Sequence, residues 1–396
     1  MFDTGLRDLE RRWMATGNVD DERRFLAERV RQGQLSNRVL LRAALFGSPA
    51  ALLAIGGSPE ADDSPLTQDE MNEVLRLVFG GIDLPQRTRE FLENIVQHDR
   101  EARSTLTHYE LVQARDKAPP DSATALKALM DDLKENQNHR EAIAQMNRPV
   151  LQFVPVYEPE GAGFQRMVNA YNSHIPQRLR EILEERGLDP TFTWQDLQAR
   201  WEMNSETPGK VVGWQVAVVE GAKVLPRGSN PYAGQPVEEQ LTQSREDARR
   251  QDLQLCDKKK YDLLQMREIQ QATPETPLEQ LGIDPQNWTI LEDPTREHGS
   301  FVPSGNWSGS QVYFDVSNPG SQDEDARFRF AVVVDIPGNL IFAFSLNFFL
   351  LRHTLFPYPP TSKDFAFSRE SFRSIFQVRG IETGVVRHKR KNHRLP

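Results

Sequence analysis

The sequence predicts an α+β protein with a helical N-terminal half and a mixed α/β C-terminal half that ends in an antiparallel hairpin. Two observations predict it. Before about residue 148, apolar residues recur three and four positions apart, the spacing of one helix face, with Gly or Pro at the breaks. After Val150, stretches of alternating apolar and polar residues set in, which is the period of a half-buried strand.

The first element carries Leu6, Leu9 and Trp13 on one face and breaks at Gly17-Asn18. A second helix over residues 19–32 turns Phe25, Leu26 and Val30 inward and stops at Gly33, where a left-handed cap costs least. Residues 35–46 give a third, with a narrow stripe of Val39, Leu40, Ala43 and Ala44. Ser48 then caps a fourth that has Pro49 in its first turn. Residues 1–57 therefore read as one helical module, and 58–65 as a polar linker rich in Asp, Ser and Pro. In a connector region over 66–148, Met71, Val74, Leu75, Val78 and Phe79 mark a helix closed by Gly80-Gly81, and Phe91, Leu92 and Ile95 mark another. The highly charged residues 97–148 read as a solvated connector or as paired helices, broken at 118–121.

An α/β domain is expected over 150–336. Residues 150–157 read as a strand that Pro155 confines to an edge or an end, and 214–219 as a strand apolar enough to be central. Helices are expected at 176–186, around Trp194 and over 236–272. Val312, Phe314 and Val316 alternate with Gln311, Tyr313 and Asp315, and Phe328, Phe330, Val332 and Val334 with Arg327 and Arg329. These two stretches are expected to pair with each other across the polar residues 317–326.

A chain of 396 residues, 38% hydrophobic and 27% charged, has material for two or three compact units. Its one cysteine, Cys256, excludes an internal disulfide framework and a multi-cysteine zinc cage, and points to a reducing, cytoplasmic setting. The first residues show neither a basic flank nor an apolar run, so no signal peptide is expected. The net charge of −9 is uneven, because residues 352–396 hold ten Lys or Arg against three Asp or Glu and leave −16 on the rest. An acidic body repels phosphate backbones, so no nucleic-acid partner is expected.

Familiar catalytic signatures are missing. The sequence has no Gly-x-x-x-x-Gly-Lys-Ser/Thr phosphate loop, no Gly-x-Ser-x-Gly elbow and no His-Glu-x-x-His zinc motif. Gly161-Ala162-Gly163 lacks the third glycine of a dinucleotide site and reads as a strand-to-helix turn. Cys256 precedes Lys258, Lys259 and Lys260, which favour a thiolate, but no base can be assigned to it and it reads as an inert thiol. Neither a metal nor a cofactor is expected.

Gly305-Asn306-Trp307, followed about twenty residues later by Arg327-Phe328-Arg329-Phe330-Ala331-Val332, resembles the closing strands of the C-type-lectin-like fold. That fold is shared by formylglycine-generating enzymes and retroelement-diversified ligand-binding proteins. Asn306 stands where the family's Gly-Ser-Trp turn has serine, and Ala326-Arg327 where its last strand has glycine. The oxidase branch uses paired active-site cysteines, which a single Cys256 does not supply, so the resemblance implies ligand display. It assigns ligand contacts to Asn306, Trp307, Ser308, Ser310, Tyr313, Asp315, Arg327 and Arg329, side chains suited to adaptable recognition. An ordinary amphipathic hairpin would give the same alternation. Residues 41–56 also resemble the second helix of tetratricopeptide-like repeats and the helical modules of uncharacterised bacterial proteins, in a single copy that does not support a solenoid.

Residues 340–351 are apolar but for Ser345 and Asn347, shorter than the about 20 residues that a bilayer span needs, so a membrane partner is not expected. The basic remainder of the 337–396 tail reads as disordered or loosely docked. The expected function is that of a non-enzymatic interaction or ligand-binding protein whose partner is a protein or a small ligand. Two alternatives stand beside it: a hydrolase or transferase site near Glu158, Glu160, Trp214 and Glu220, and a factor held at a membrane by the tail.

Overall fold

The computed structural model describes residues 4–56, 65–97, 122–158, 180–181, 184–187, 210–221, 230–271, 273, 275–276, 283–284, 287–293, 298–308, 311–322, 324 and 326–336. Most of the helix expected at 176–186, the helix at Trp194, the glycine turn at 161–163 and the tail after 336 lie outside the described residues. The described residues all fall within one compact unit, Met1–Gly338.

The chain is α+β, helical first and mixed afterwards. Among the described residues the N-terminal half holds α1 (Thr4–Thr16), α2 (Val19–Arg31), α3 (Asn37–Leu45), α4 (Pro49–Ile55), α5 (Gln68–Phe79), α6 (Gln86–Gln97), α7 (Ser122–Glu135) and α8 (Gln137–Gln145). Their starts follow from side-chain caps: Asn18, Ser36 and Ser48 each accept a bond from an N–H of the first turn. Thr67 and Glu70 close a capping box on α5. Glu70 also accepts from Arg38 on α3, whose guanidinium holds the carboxyl down at about 2. The Trp13 and Phe25 rings stack at 5.4 Å and join α1 to α2.

Of the charged region 97–148, residues 98–121 lie outside the described residues, and α7 with α8 makes the rest a pair of helices. Leu126, Leu129, Met130 and Leu133 on α7 are wholly buried, and its outer face carries charge, with Lys127 and Lys134 both paired to Asp131. Helical spacing of four buried residues outweighs a high charge fraction, because charges three and four apart share the opposite face.

The C-terminal half continues as β1 (Pro149–Glu158), β2 (Lys210–Glu220), α9 (Val237–Arg250), β3 (Gln254–Leu255), α10 (Lys258–Gln271), β4 (Trp288–Ile290), β5 (Val302–Ser308), β6 (Gln311–Ser317), β7 (Ala326–Arg327) and β8 (Phe330–Asp335). One sheet has the order β1-β2-β8-β3 and is antiparallel throughout. Pro155, which has no N–H to donate, sits on its edge strand as expected, and Val216–Val219 of central β2 are fully buried. The other sheet has the order β6-β5-β4-β7, with β5 and β6 forming the antiparallel hairpin and β4 and β7 parallel.

Helix α10 joins the two sheets. Gln152 of β1 donates to the Lys260 carbonyl at 2.9 Å, while the buried Tyr261 ring lies against Gly305 of β5. A Cβ at Gly305 would sit 2.7 Å from Tyr261 Cε1, so this close approach is the reason for glycine here. Residues 305–307 lie within strand β5 and not at a turn.

Two expectations are corrected. The continuous helix over 236–272 is two helices, because the chain reverses at Asp252, with φ 58°, and lays β3 on the edge of the first sheet. Burial of Leu253, Leu255 and Cys256, together with pairing to β8, overrides the local helical pattern. The stretches 311–316 and 327–334 do not pair. β6 takes the adjacent strand β5, while the second stretch divides: Ala326-Arg327 joins β4, then the chain crosses and β8 joins β2. An alternating pattern fixes which side of a strand is apolar, not which strand it meets.

Substituting Gly305→Ala should cost about 1–3 kcal/mol, because the buried Tyr261 ring has no room to retreat. The control Gly320→Ala, at an exposed site where the nearest atom would be 3.6 Å away, should stay within about 0.5 kcal/mol. Urea denaturation of the two variants measures the contrast.

Candidate functional site

Two polar centres emerge from the described residues of the C-terminal half, one buried and one open. At the buried centre, Asp284 adopts φ 54°, a left-handed conformation that Asp and Asn tolerate best among residues with a side chain. Its Oδ1 accepts from Arg329 Nη2 at 2.5 Å. Its Oδ2 accepts from the Thr289 hydroxyl and, at 3.3 Å, from the Tyr261 hydroxyl. Arg329 is 0% exposed and also donates to the Glu220 carbonyl at 2.9 Å.

Burial pushes the Asp284 carboxyl up, against the pull of Arg329, Thr289 and Tyr261. Burial acts to lower the Arg329 guanidinium, and the neighbouring carboxylate overcomes it and raises it. The two tendencies oppose each other over one contact. A guanidinium does not lose its proton in proteins, and leaving it uncompensated at full burial is the costlier state, so the contact is an ion pair. Next to it, burial pushes the Cys256 thiol up to about 12, consistent with the inert thiol read from the sequence.

This centre corrects the expected presentation of the arginines. Arg329 is sealed inside, and Arg327 is 4% exposed with Nη1 donating to the carbonyls of Glu324 and Ala326, each at 2.7 Å. Neither faces outward, because the chain changes sheets between β7 and β8 and carries both side chains into the junction. Asn306 is half-buried on β5. The side chains of Trp307, Ser308, Tyr313 and Asp315, and all of Ser310, lie outside the described residues.

The two described carboxylates of the enzymatic alternative, Glu158 and Glu220, do not converge. Glu158 pairs with Lys210 at one end of the β1–β2 ladder and Glu220 with Pro149 at the other, about 30 Å away at the strand rise. Glu220 accepts the Asn147 N–H at 3.1 Å, Trp214 is buried against Phe153 at 4.9 Å, and Glu160 lies outside the described residues.

The open centre is a groove of about 410 Å³ lined by Pro236, Glu238, Glu239, Thr242, Gln243 and His298. The start of α9 builds its floor. The Val237 and Glu238 N–H groups donate to the carbonyls of Ser321 and Pro319, at 2.9 and 3.1 Å, which anchors the helix to the chain leaving β6. Glu238 Oε1 lies 3.6 Å from His298 Nε2. Sequence reasoning passed over this site because Glu238 and Glu239 have the ordinary look of an acidic first helical turn, and nothing local brings His298 to them. Among the described residues no group of three or more His, Cys, Asp or Glu could hold a metal ion, and no helix is long and apolar enough to cross a membrane.

These features define a two-sheet α+β protein with a sealed ion pair and an acidic groove. Comparison with family models, curated proteins and solved structures finds no match for the chain.

Removing one partner of the buried pair, as in Arg329→Met, should cost about 3–5 kcal/mol. Adding Asp284→Asn, which keeps the left-handed backbone and removes the stranded charge, should recover much of that loss. A double-mutant cycle from urea midpoints tests it, and additive losses would disprove the coupling.

Proposed function

We propose that the chain is a binding protein whose α9 groove takes a cationic segment of a partner. The observation that carries this reading is the composition of the groove, where two carboxylates outnumber the single His298 ring and two neutral polar side chains complete an open recess. The backbone supports the same sign of ligand. The first N–H groups of α9, which would otherwise attract an anion, are engaged by the Pro319 and Ser321 carbonyls. A Lys- or Arg-rich segment of another protein fits this chemistry, and a nucleic acid does not. The lone cysteine, buried and free of disulfide, suits the cytoplasmic setting included in this reading.

Titrating the ¹⁵N-labelled chain with a Lys-rich peptide should shift the amides of residues 237–243 and 298, and a Glu-rich peptide of equal length should not. The double substitution Glu238→Gln with Glu239→Gln should weaken the basic peptide by roughly five- to tenfold at low salt. Equal affinity in the double variant, or a basic peptide that shifts none of these amides, would remove the groove from the reading.

A further inference from the structure

His139 on α8 is 4% exposed, and each of its ring nitrogens faces an acceptor. Nδ1 lies 2.6 Å from Asp132 Oδ2 on α7, and Nε2 lies 2.7 Å from the carbonyl oxygen of Asp252, in the turn between α9 and β3. A neutral imidazole carries one N–H and can satisfy one of these acceptors; the imidazolium satisfies both. Among the described residues the charged groups that act on the ring are carboxylates, with Asp132 in contact and Asp252 Oδ2 3.7 Å from Nε2. On α8 itself, the Arg140 guanidinium is turned to the Leu133 and Lys134 carbonyls. Of the other elements packed on α8, α6 bonds to it through Thr88, and the one ionisable residue of β8, Asp335, is bonded to Gln215.

We propose that His139 is a pH-operated clamp: as the imidazolium it holds the Asp252 turn against the helical half, and as the neutral ring it releases that turn. The choice of bond follows from acceptor strength. The remaining proton stays on Nδ1, toward a carboxylate, because a charged acceptor outcompetes a carbonyl. Nε2 then points a lone pair at the Asp252 carbonyl, and attraction becomes repulsion.

Asp252 holds a left-handed φ of 58° without being glycine, and its carboxylate is steadied by Asn136 Nδ2 at 3.0 Å. The strand that follows, β3, is two residues long and lies at the end of its sheet's strand order. Burial acts to lower the His139 pKa, and the bonds from Asp132 and Asp252 overcome it, so it stands above the ordinary 6.5. A raised folded-state value means that the stabilisation is complete below the unfolded pKa of about 6.5 and is lost as pH rises through the folded value.

The test is an NMR pH titration of the full chain from pH 5.5 to 9. The His139 ring nitrogens should titrate with a midpoint above 6.5, and the Asp252, Leu253 and Leu255 amides should shift and exchange faster with the same midpoint. Asp132→Asn, which leaves the ring in place, should lower both midpoints together. A ring that is neutral at pH 6, turn amides insensitive to pH, or an amide midpoint that stays fixed in Asp132→Asn would overturn the proposal.

Discussion

The contact between the Arg329 guanidinium and the Asp284 carboxylate fixes how the two sheets meet. Arg329 stands where the chain leaves β7 in one sheet and enters β8 in the other, and its own carbonyl receives the Cys256 N–H at 2.8 Å, beside β3. Its side chain reaches the carbonyl that ends β2. Asp284 in turn gathers Thr289 from β4 and Tyr261 from α10. One pair of charges therefore touches both sheets and the helix between them. Such a pair adds little net stability over an apolar pair of equal volume, but it tolerates no mismatch. A crossing shifted by one residue would set Phe328 or Phe330 against Asp284 in place of Arg329 and leave a lone carboxylate buried, so the pair selects one crossing point among several that apolar burial alone would allow.

Much of the helical half was legible because its signals are local. Ser48-Pro49, Gly80 and the Leu6, Leu9, Trp13 stripe act within a turn or two of the chain, and the helices form where these residues place them. The edge position of Pro155 and the central position of β2 were legible for the same reason: each follows from one strand's own side chains. What pairs with what was not. The alternation over 311–316 and 327–334 described two real strand regions and said nothing about partners, and the intended hairpin partner of β6 turned out to be β5, joined to it by two residues.

The misreading of Arg327 and Arg329 has the same root. Alternation with Phe328 and Phe330 assigns arginine to the wet side whenever a strand has one, and that inference holds for a strand in a single sheet. A strand that changes sheets has two insides. Asp284, the carboxylate that makes a buried Arg329 tolerable, lies 45 residues earlier and has no sequence mark beyond an Asp-Pro turn. Gly305 shows the converse case. Its presence was noticed as part of a turn-like motif, while its cause is a tyrosine ring 44 residues away.

Helix α9 connects the two ends of the functional argument. Its first turn lines the acidic groove, Arg245 at its middle grips Glu292 through contacts of 2.6 to 3.0 Å, and its last turn runs into the Asp252 reversal under His139. Fourteen residues span about 21 Å, so the groove and the clamp do not touch. Val237, Leu241, Ser244 and Ala248 are buried along one face, and turning the helix would expose all four while breaking the Arg245–Glu292 grip. Releasing the Asp252 turn therefore leaves α9 where it is. The strain goes the other way along the chain, into two-residue β3, which has a single strand partner among the described residues and no such grip. The clamp thus acts on the edge of the first sheet, and the groove keeps its shape whichever charge His139 carries.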